Sequence, residues 1–306
     1  MCDNEFHFAS GRPGSRVRDK LPRPICRAPI VVILLITLGG CASAGGAARP
    51  SSAVEALNAT LWFQSAVEYR ALAIQAYATA TRALSRGLAD SAWTAALEQT
   101  ADFEDLPPAV IVDVDETVLD NGDYQGRLLE DGTRFAADTW AAWVAEQSAD
   151  AVPGAIRFAR AAAREGVTVF YVTNRDAPLE ADTRANLARL DFPVPEGDED
   201  VVLTRGERPE WGSDKSSRRT HVARSYRILL LVGDDLGDFL ETDASLAARE
   251  AALERHADRW GERWVVLPNP MYGSWERALL EGSGADAVGV KLRRIETGRD
   301  PGGRPR

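Results

Sequence analysis

The sequence predicts an α/β protein: a parallel sheet covered by helices on both faces, preceded by helices and carrying a small helical insertion after its first strand. Three observations predict it. Five short runs are continuously apolar rather than alternating, as expected of strands buried on both faces. Helix-length stretches separate these runs, which is the pattern of a parallel sheet with crossover helices. Three of the runs also end in acidic or hydroxyl-bearing residues, and in such sheets the polar site lies beyond the carboxyl ends of the strands.

Taken in order, residues 54–88 place Leu57, Leu61, Val67, Leu72, Ile74 and Ala78 among Glu, Gln and Arg, without Pro and without Gly until Gly87, which predicts a helical N-terminal extension. A second helix is expected over 91–101, stopped by Pro107 and Pro108. The apolar runs are 109–112, 167–172, 201–203, 228–232 and 264–267. Helices are expected at about 155–164, 179–190, 216–224 and 245–260. Residues 120–150 interrupt the alternation, hold Trp140 and Trp143, and contain few β-branched residues, so they predict a helical cap over the strand ends. The tail 297–306 is rich in Gly, Pro and Arg and is expected to be disordered.

Composition narrows the function classes. The 306 residues are 45% hydrophobic and 27% charged, ordinary values for a globular chain. A net charge of -10 argues against binding a nucleic acid polymer, which needs a basic face to displace counterions. The three cysteines, Cys2, Cys26 and Cys41, all precede the folded part, so it contains neither a disulfide framework nor a thiolate metal site. Arg16, Arg18, Lys20, Arg23 and Arg27 precede an apolar run of about 11 residues, too short to span a bilayer but suited to a signal-peptide core. Small residues before Cys41 resemble a bacterial lipobox. Residues 1–40 are then a signal peptide, Cys41 the lipidated mature N-terminus, and 41–53 a small, polar tether. Simple cleavage near Ala44 is the alternative. The expected location is extracytoplasmic and lipid-anchored, with the outer membrane preferred because Ala42 and Ser43 carry no strong inner-membrane retention signal.

The chemistry is concentrated at the strand ends. Asp113 and Asp115 follow the first run, one residue apart. Such close carboxylates repel unless a cation lies between them or one keeps its proton. Mg²⁺ suits one or two carboxylates plus a substrate phosphate. By themselves they also fit an acidic loop capping a helix. Asp234, Asp235 and Asp238 follow a fully apolar run, again at a strand end. Thr173 and Asn174 end another, where a hydroxyl and backbone N–H groups can hold phosphate oxygens. Lys215, just before a helix, can supply fixed positive charge.

Together, residues 113–124 (DVDETVLDNGDY), 171–175 (YVTNR), 233–239 (GDDLGDF) and 267–276 (LPNPMYGSWE) resemble the haloacid dehalogenase superfamily, and within it the class C acid phosphatases of the bacterial outer-membrane lipoprotein type. The helix around WFQSAVEYRALAIQAY is similar to that family's N-terminal helix, and the resemblance spans about residues 54–280. It implies a Rossmann-like phosphatase domain over 54–296. It implies Asp113 as nucleophile and Asp115 as proton donor and then base. The implied metal set is Asp113, the Asp115 backbone carbonyl and Asp234, supported by Asp238, with Mg²⁺ as cofactor. Thr173, Asn174 and Lys215 are the implied phosphate ligands, and Trp140 and Tyr272 the aromatics that stack on substrate. It implies small phosphomonoester substrates, nucleoside monophosphates and aryl phosphates, hence a 5′-nucleotidase, and leaves a homodimer open. The alternatives are a phosphatase for sugar phosphates or other small phosphoesters, and a surface lipoprotein that binds without turnover. Asp235 stands where many relatives have Asn, and Gly122-Asp123 where the family often has Ser-Pro.

Overall fold

The computed structural model describes residues 56–100, 102–195, 197, 199–241, 245–281 and 287–295. The expected signal peptide, Cys41, the tether and the tail 297–306 lie outside the described residues. No helix among the described residues is long and apolar enough to cross a membrane.

Five strands, β1 (Pro108–Val112), β4 (Thr168–Asp176), β5 (Val202–Arg205), β6 (Arg227–Gly233) and β7 (Trp264–Val266), form a sheet in the order β5-β4-β1-β6-β7. Every pairing in it is parallel. All five apolar runs are therefore strands, and β1, which carries Asp113 at its end, is central. β6 is buried along its whole length, which explains why Ile228, Leu229, Leu230, Leu231 and Val232 show no polar alternation. Truncating such a residue leaves a cavity. Leu230→Ala is expected to lower the unfolding free energy by about 2–5 kcal/mol, measured by urea denaturation with the slope unchanged.

The N-terminal extension is two helices, α1 (Leu57–Ser65) and α2 (Val67–Ala89), broken at Ala66, whose backbone is extended. α2 packs on β6 and on α5 (Ala155–Arg164). Ala73, Tyr77, Ala80 and Leu84, spaced by three or four residues, form its buried stripe. Over residues 91–100 the expected helix does not form. Trp93 Nε1 donates to the Leu229 carbonyl, Ala95 N to the Ile228 carbonyl, and the Ala95 carbonyl accepts from Trp264 Nε1. These bonds hold the segment against β6 and β7 in irregular form, overriding its helical composition.

Helices α5, α6 (Glu180–Arg189) and α7 (Ser216–Ala223) fall where expected, while α8 (Leu246–Arg255) ends five residues early. Two further helices, α9 (Ser274–Leu280) and α10 (Ala287–Arg294), complete the described chain. The cap contains α3 (Gly122–Glu130) and α4 (Ala137–Ala145). Its two stems pair as an antiparallel ribbon, β2 (Leu119–Asp120) with β3 (Asp150–Ala151), in the register Leu119 to Ala151 and Asp120 to Asp150. The insertion thus leaves and rejoins the main body at one point.

Candidate active site

Asp113 follows β1 directly, and its N–H donates to the Val232 carbonyl at 2.9 Å, which extends the ladder by one residue and fixes the carboxylate above the sheet. Gly233 ends β6 because a Cβ there would come within 2.1 Å of the Asp238 side chain, so the close approach of the two loops requires glycine. Asp235 and Asp238 form a reciprocal cap on the short 3₁₀ turn Leu236–Asp238. Asp234 is held by Thr117 Oγ1 at 3.1 Å and Asn269 Nδ2 at 2.8 Å. One carboxylate oxygen from each of Asp113, Asp234 and Asp238 lies within 4.8 Å of the others.

This clustering has an electrostatic cost. Burial pushes Asp113 up to about 7, helped by the charges of Asp238 and Asp115 and opposed by Lys215. Asp234 is raised well above the carboxylate range by burial and by Asp113 and Asp238. Lys215, only 5% exposed, donates from Nζ to Asp113 Oδ1 and, at 2.6 Å, to Asp238 Oδ1. Burial opposes its charge, but the two carboxylates hold it above the ordinary lysine value. One ammonium does not balance three carboxylates, and Asp113 Oδ2 together with the second lone pairs of the Asp234 and Asp238 oxygens suits a hard divalent cation.

Asp115 is not part of that cluster. Its Oδ1 accepts from Arg175 Nε at 3.0 Å, Arg175 Nη2 at 2.8 Å and Asn121 Nδ2 at 2.9 Å. Oδ2 carries no hydrogen bond among the described residues, and Asp115 lines the cavity. Its metal role would therefore run through the backbone carbonyl, as the resemblance implies. Arg175 is 2% exposed, donates also to Thr183 Oγ1, and lies 5.3 Å from the Trp140 ring centre. It was missed as a site residue. The available signal is an arginine at the end of an apolar strand, with Asp115 lacking a cationic partner nearby in sequence.

Glu116 was also missed. It is completely buried in a left-handed backbone conformation (φ 54°), a strained position for a residue with a side chain. Burial first, then Asp115 and Asp234, raises its carboxyl well above the usual range. It accepts from Asn121 N at 3.0 Å and from the Tyr272 hydroxyl. Asn121 Oδ1 in turn accepts from Trp143 Nε1 at 2.8 Å, so Trp143 is the buried cap aromatic and a tie between cap and loop.

Asp113, Asp115, Asn174, Lys215, Asp234, Asp238, Trp140 and Tyr272 all line one cavity of about 1010 Å³. The carboxylates and Lys215 form its floor. Trp140, stacked edge-on against Tyr124 with ring centres 5.0 Å apart and 6.1 Å from Phe135, forms an aromatic wall. Thr173 is fully buried and does not itself line the cavity, unlike Asn174; its Oγ1 accepts from Arg175 N, which leaves its proton to donate. Thr173, Asn174 and Arg175 lie within β4, which continues past them to Asp176. The Asn174 carboxamide is engaged at both ends: Nδ2 donates to the Ser213 carbonyl at 2.9 Å and Oδ1 accepts from Arg218 at 2.6 Å. Its backbone N–H is therefore the group suited to an anion. Asp235 accepts from Ser274 N and Oγ, both at 2.6 Å, and from Gly237 N at 2.9 Å. It anchors the loop that bears Tyr272. Burial works against its charge, but these donors hold it below the usual carboxylate value. An asparagine would replace one of its acceptor oxygens with a donor.

A strand-end aspartate with a buried lysine, a metal-suited carboxylate triad and a second, separately held aspartate agree with the comparisons. The family model for subfamily IIIB (acid phosphatase) of the HAD superfamily matches residues 39–275. A structure of the class C acid phosphatase from Bacillus anthracis is similar with a TM-score of 0.69 and 31% identity, over 80% of this chain and 98% of that one. A second structure of that enzyme, with tungstate bound, gives a TM-score of 0.70 and 30% identity over 81% and 99%. The chain belongs to the acid phosphatases of subfamily IIIB of the haloacid dehalogenase superfamily, and is a phosphomonoesterase.

Proposed function

We propose that this acid phosphatase is a Mg²⁺-dependent 5′-nucleotidase that works through an aspartyl-phosphate on Asp113. The observation that carries the mechanism is the separation of the two strand-end aspartates. Asp113 shares its environment with Lys215 and the acidic triad, whereas Asp115 is held through one oxygen by Arg175 and Asn121. This separation supports a reading in which Asp113 attacks and Asp115 moves a proton.

In the first half-reaction an Asp113 oxygen bonds to phosphorus as the bond to the leaving oxygen breaks. Asp115 gives the leaving oxygen its proton from Oδ2. In the second half-reaction Asp115 takes a proton from water, the water oxygen bonds to phosphorus, and the bond from phosphorus to Asp113 breaks. Lys215, the Thr173 hydroxyl and the Asn174 N–H stabilise the phosphoryl oxygens throughout. Bound between Asp113, the Asp115 carbonyl, Asp234 and Asp238, Mg²⁺ would neutralise charge gathering between nucleophile and phosphate. Trp140 and Tyr272 supply apolar faces for a base or aryl ring, and stacking of this kind tolerates any base. Anchoring through Cys41 outside the cytoplasm would give the enzyme nucleotides too charged to cross a membrane.

The test of the reaction is phosphate release by residues 44–306 from 5′-AMP and p-nitrophenyl phosphate, at mildly acid pH, with Mg²⁺ and with EDTA. Metal-dependent release from both is expected. A large kcat/KM preference for sugar phosphates over 5′-AMP would overturn the nucleotidase reading. Anchoring is tested by metabolic labelling with a fatty acid, which Cys41→Ala is expected to abolish.

The crowded carboxylates also predict how metal and protons compete. Asp113 and Asp234 have folded values raised above their unfolded ones. The stability they contribute is present below the ordinary carboxylate range and is lost as pH rises, for Asp113 up to about 7. A divalent cation occupies the same oxygens, so it should relieve this loss. In EDTA the melting temperature is expected to fall between about pH 5.5 and about pH 8. The gain on adding Mg²⁺ should be larger at the higher pH. An equal gain at both would contradict metal binding at these carboxylates.

A further inference from the structure

Arg218 lies one helical turn after Lys215, near the start of α7, and is wholly buried. Among the described residues its guanidinium bonds only to neutral acceptors. Nη1 donates to the Thr173 carbonyl, and Nη2 to Asn174 Oδ1 at 2.6 Å, the Gly212 carbonyl at 2.8 Å and, weakly, the Asp214 carbonyl at 3.4 Å. Nε has no partner. Its neighbour Arg219 is different: that side chain is paired with Glu98 at 2.8 Å and donates to the Gly237 and Asp238 carbonyls.

A buried cation without a carboxylate partner is costly to keep. Burial pushes the Arg218 guanidinium down to about 10, opposed chiefly by the nearby charge of Asp113. Helix packing alone does not require it, since an apolar side chain would fill the same space. The contacts say what it is for. The Thr173 carbonyl and the Asn174 N–H belong to one peptide group, which is planar and trans, so they point in opposite directions. A donor that grips the carbonyl therefore sets where the N–H points. Asn174 lines the cavity over Asp113 and Lys215, and Arg218 holds the other side of that peptide and the Asn174 carboxamide as well.

We propose that Arg218 is the positioning residue of the phosphate site, turning the Asn174 N–H toward the phosphoryl group and placing unpaired positive charge behind it. This rests on the reading that phosphate binds over Asp113. The substrate's own anionic oxygens then add to the nearby charge of Asp113 in balancing a guanidinium that holds no carboxylate by a hydrogen bond among the described residues. It also links the two halves of the site: the α7 start delivers Lys215 to Asp113 and, one turn later, Arg218 to the end of β4.

The test uses the full soluble chain with Mg²⁺ and inorganic phosphate as the probe, read by calorimetric titration and by competitive inhibition of p-nitrophenyl phosphate turnover. Arg218→Gln removes the charge. Arg218→Lys keeps the charge and loses the planar fork. Arg218→Gln is expected to bind phosphate about tenfold more weakly or worse, with KM rising in parallel and the pH profile unmoved. Arg218→Lys should recover only part of the loss. If both bind phosphate within about twofold of wild type, whatever their melting temperatures, the proposal fails and Arg218 is a packing residue. Should neither fold, Asn174→Ala removes one of its acceptors and leaves Arg218 in place. It should still weaken phosphate about threefold, and unchanged binding there overturns the proposal. Wild-type protein that binds no phosphate would overturn both this inference and the reading it rests on. Normal wild-type binding with unaffected variants overturns this one alone.

Discussion

Asp113→Asn is expected to abolish turnover while leaving the protein folded and no less stable without metal. The amide cannot attack phosphorus, and loss of a nucleophile that acts as part of a unit typically costs roughly 10⁴-fold or more in kcat. The stability expectation comes from the electrostatics of the floor. Burial and neighbouring carboxylates raise Asp113 to about 7, so its ionised form is disfavoured in the folded protein despite Lys215. A neutral side chain of the same shape escapes that penalty, and Lys215 keeps Asp238 as a partner at 2.6 Å. In EDTA at about pH 8 the variant should therefore melt at or above the wild-type temperature, and it should lose most of the gain that Mg²⁺ gives the wild type. Steady-state assays and thermal melts with and without metal check both halves. Residual metal-dependent turnover in the purified variant would remove Asp113 as the nucleophile.

Asp115→Asn is expected to produce a defect that depends on the leaving group. Arg175 and Asn121 both hold Oδ1, so the substituted side chain can keep its position, with an amide nitrogen in place of Oδ2. It can no longer donate and accept the proton. A positioned general acid contributes about 10²–10⁴-fold, most where the leaving oxygen is a poor leaving group. The loss for 5′-AMP should fall in that range. For p-nitrophenyl phosphate, whose leaving group departs without help, formation of the aspartyl-phosphate should be much less affected, and the intermediate should accumulate because its hydrolysis lacks a base. Rapid quench with radiolabelled substrate would detect it. Equal losses for both substrates, with no trapped intermediate, would mean that Asp115 serves only to hold the loop.

The sheet was legible because its strands are buried on both faces and therefore uniformly apolar. β6 is the clearest case, since Ile228–Val232 contains no polar residue to confuse the reading. Asp113, Lys215, Asp234 and Asp238 were legible as strand-end and helix-start groups, and they converge on one floor. What was missed depends on contacts distant in sequence. Residues 91–101 have helical composition, but Trp93 and Ala95 are held by backbone groups of Leu229 and Ile228, more than a hundred residues away. Arg175 becomes a site residue only because β4 lies beside β1, where Asp115 needs a cation. The left-handed backbone of Glu116 and the buried guanidinium of Arg218 go against local rules, and local rules are all that a single sequence supplies.

The ribbon formed by β2 and β3 has a consequence for how this enzyme can be altered. Because it joins the two stems of the cap side by side, Leu119 against Ala151 and Asp120 against Asp150, whatever lies between them is a closed loop on a fixed base. Lengthening such a loop costs little, about 0.6 kcal/mol for each doubling. The segment between the stems can thus be treated as a cassette. A cap from a relative, grafted between Asp120 and Asp150, would change which leaving groups are admitted while the machinery on β1, β4 and β6 stays in place. Asn121 and Trp143 set the condition for success: a graft that drops their bond loosens the loop that steadies Asp115.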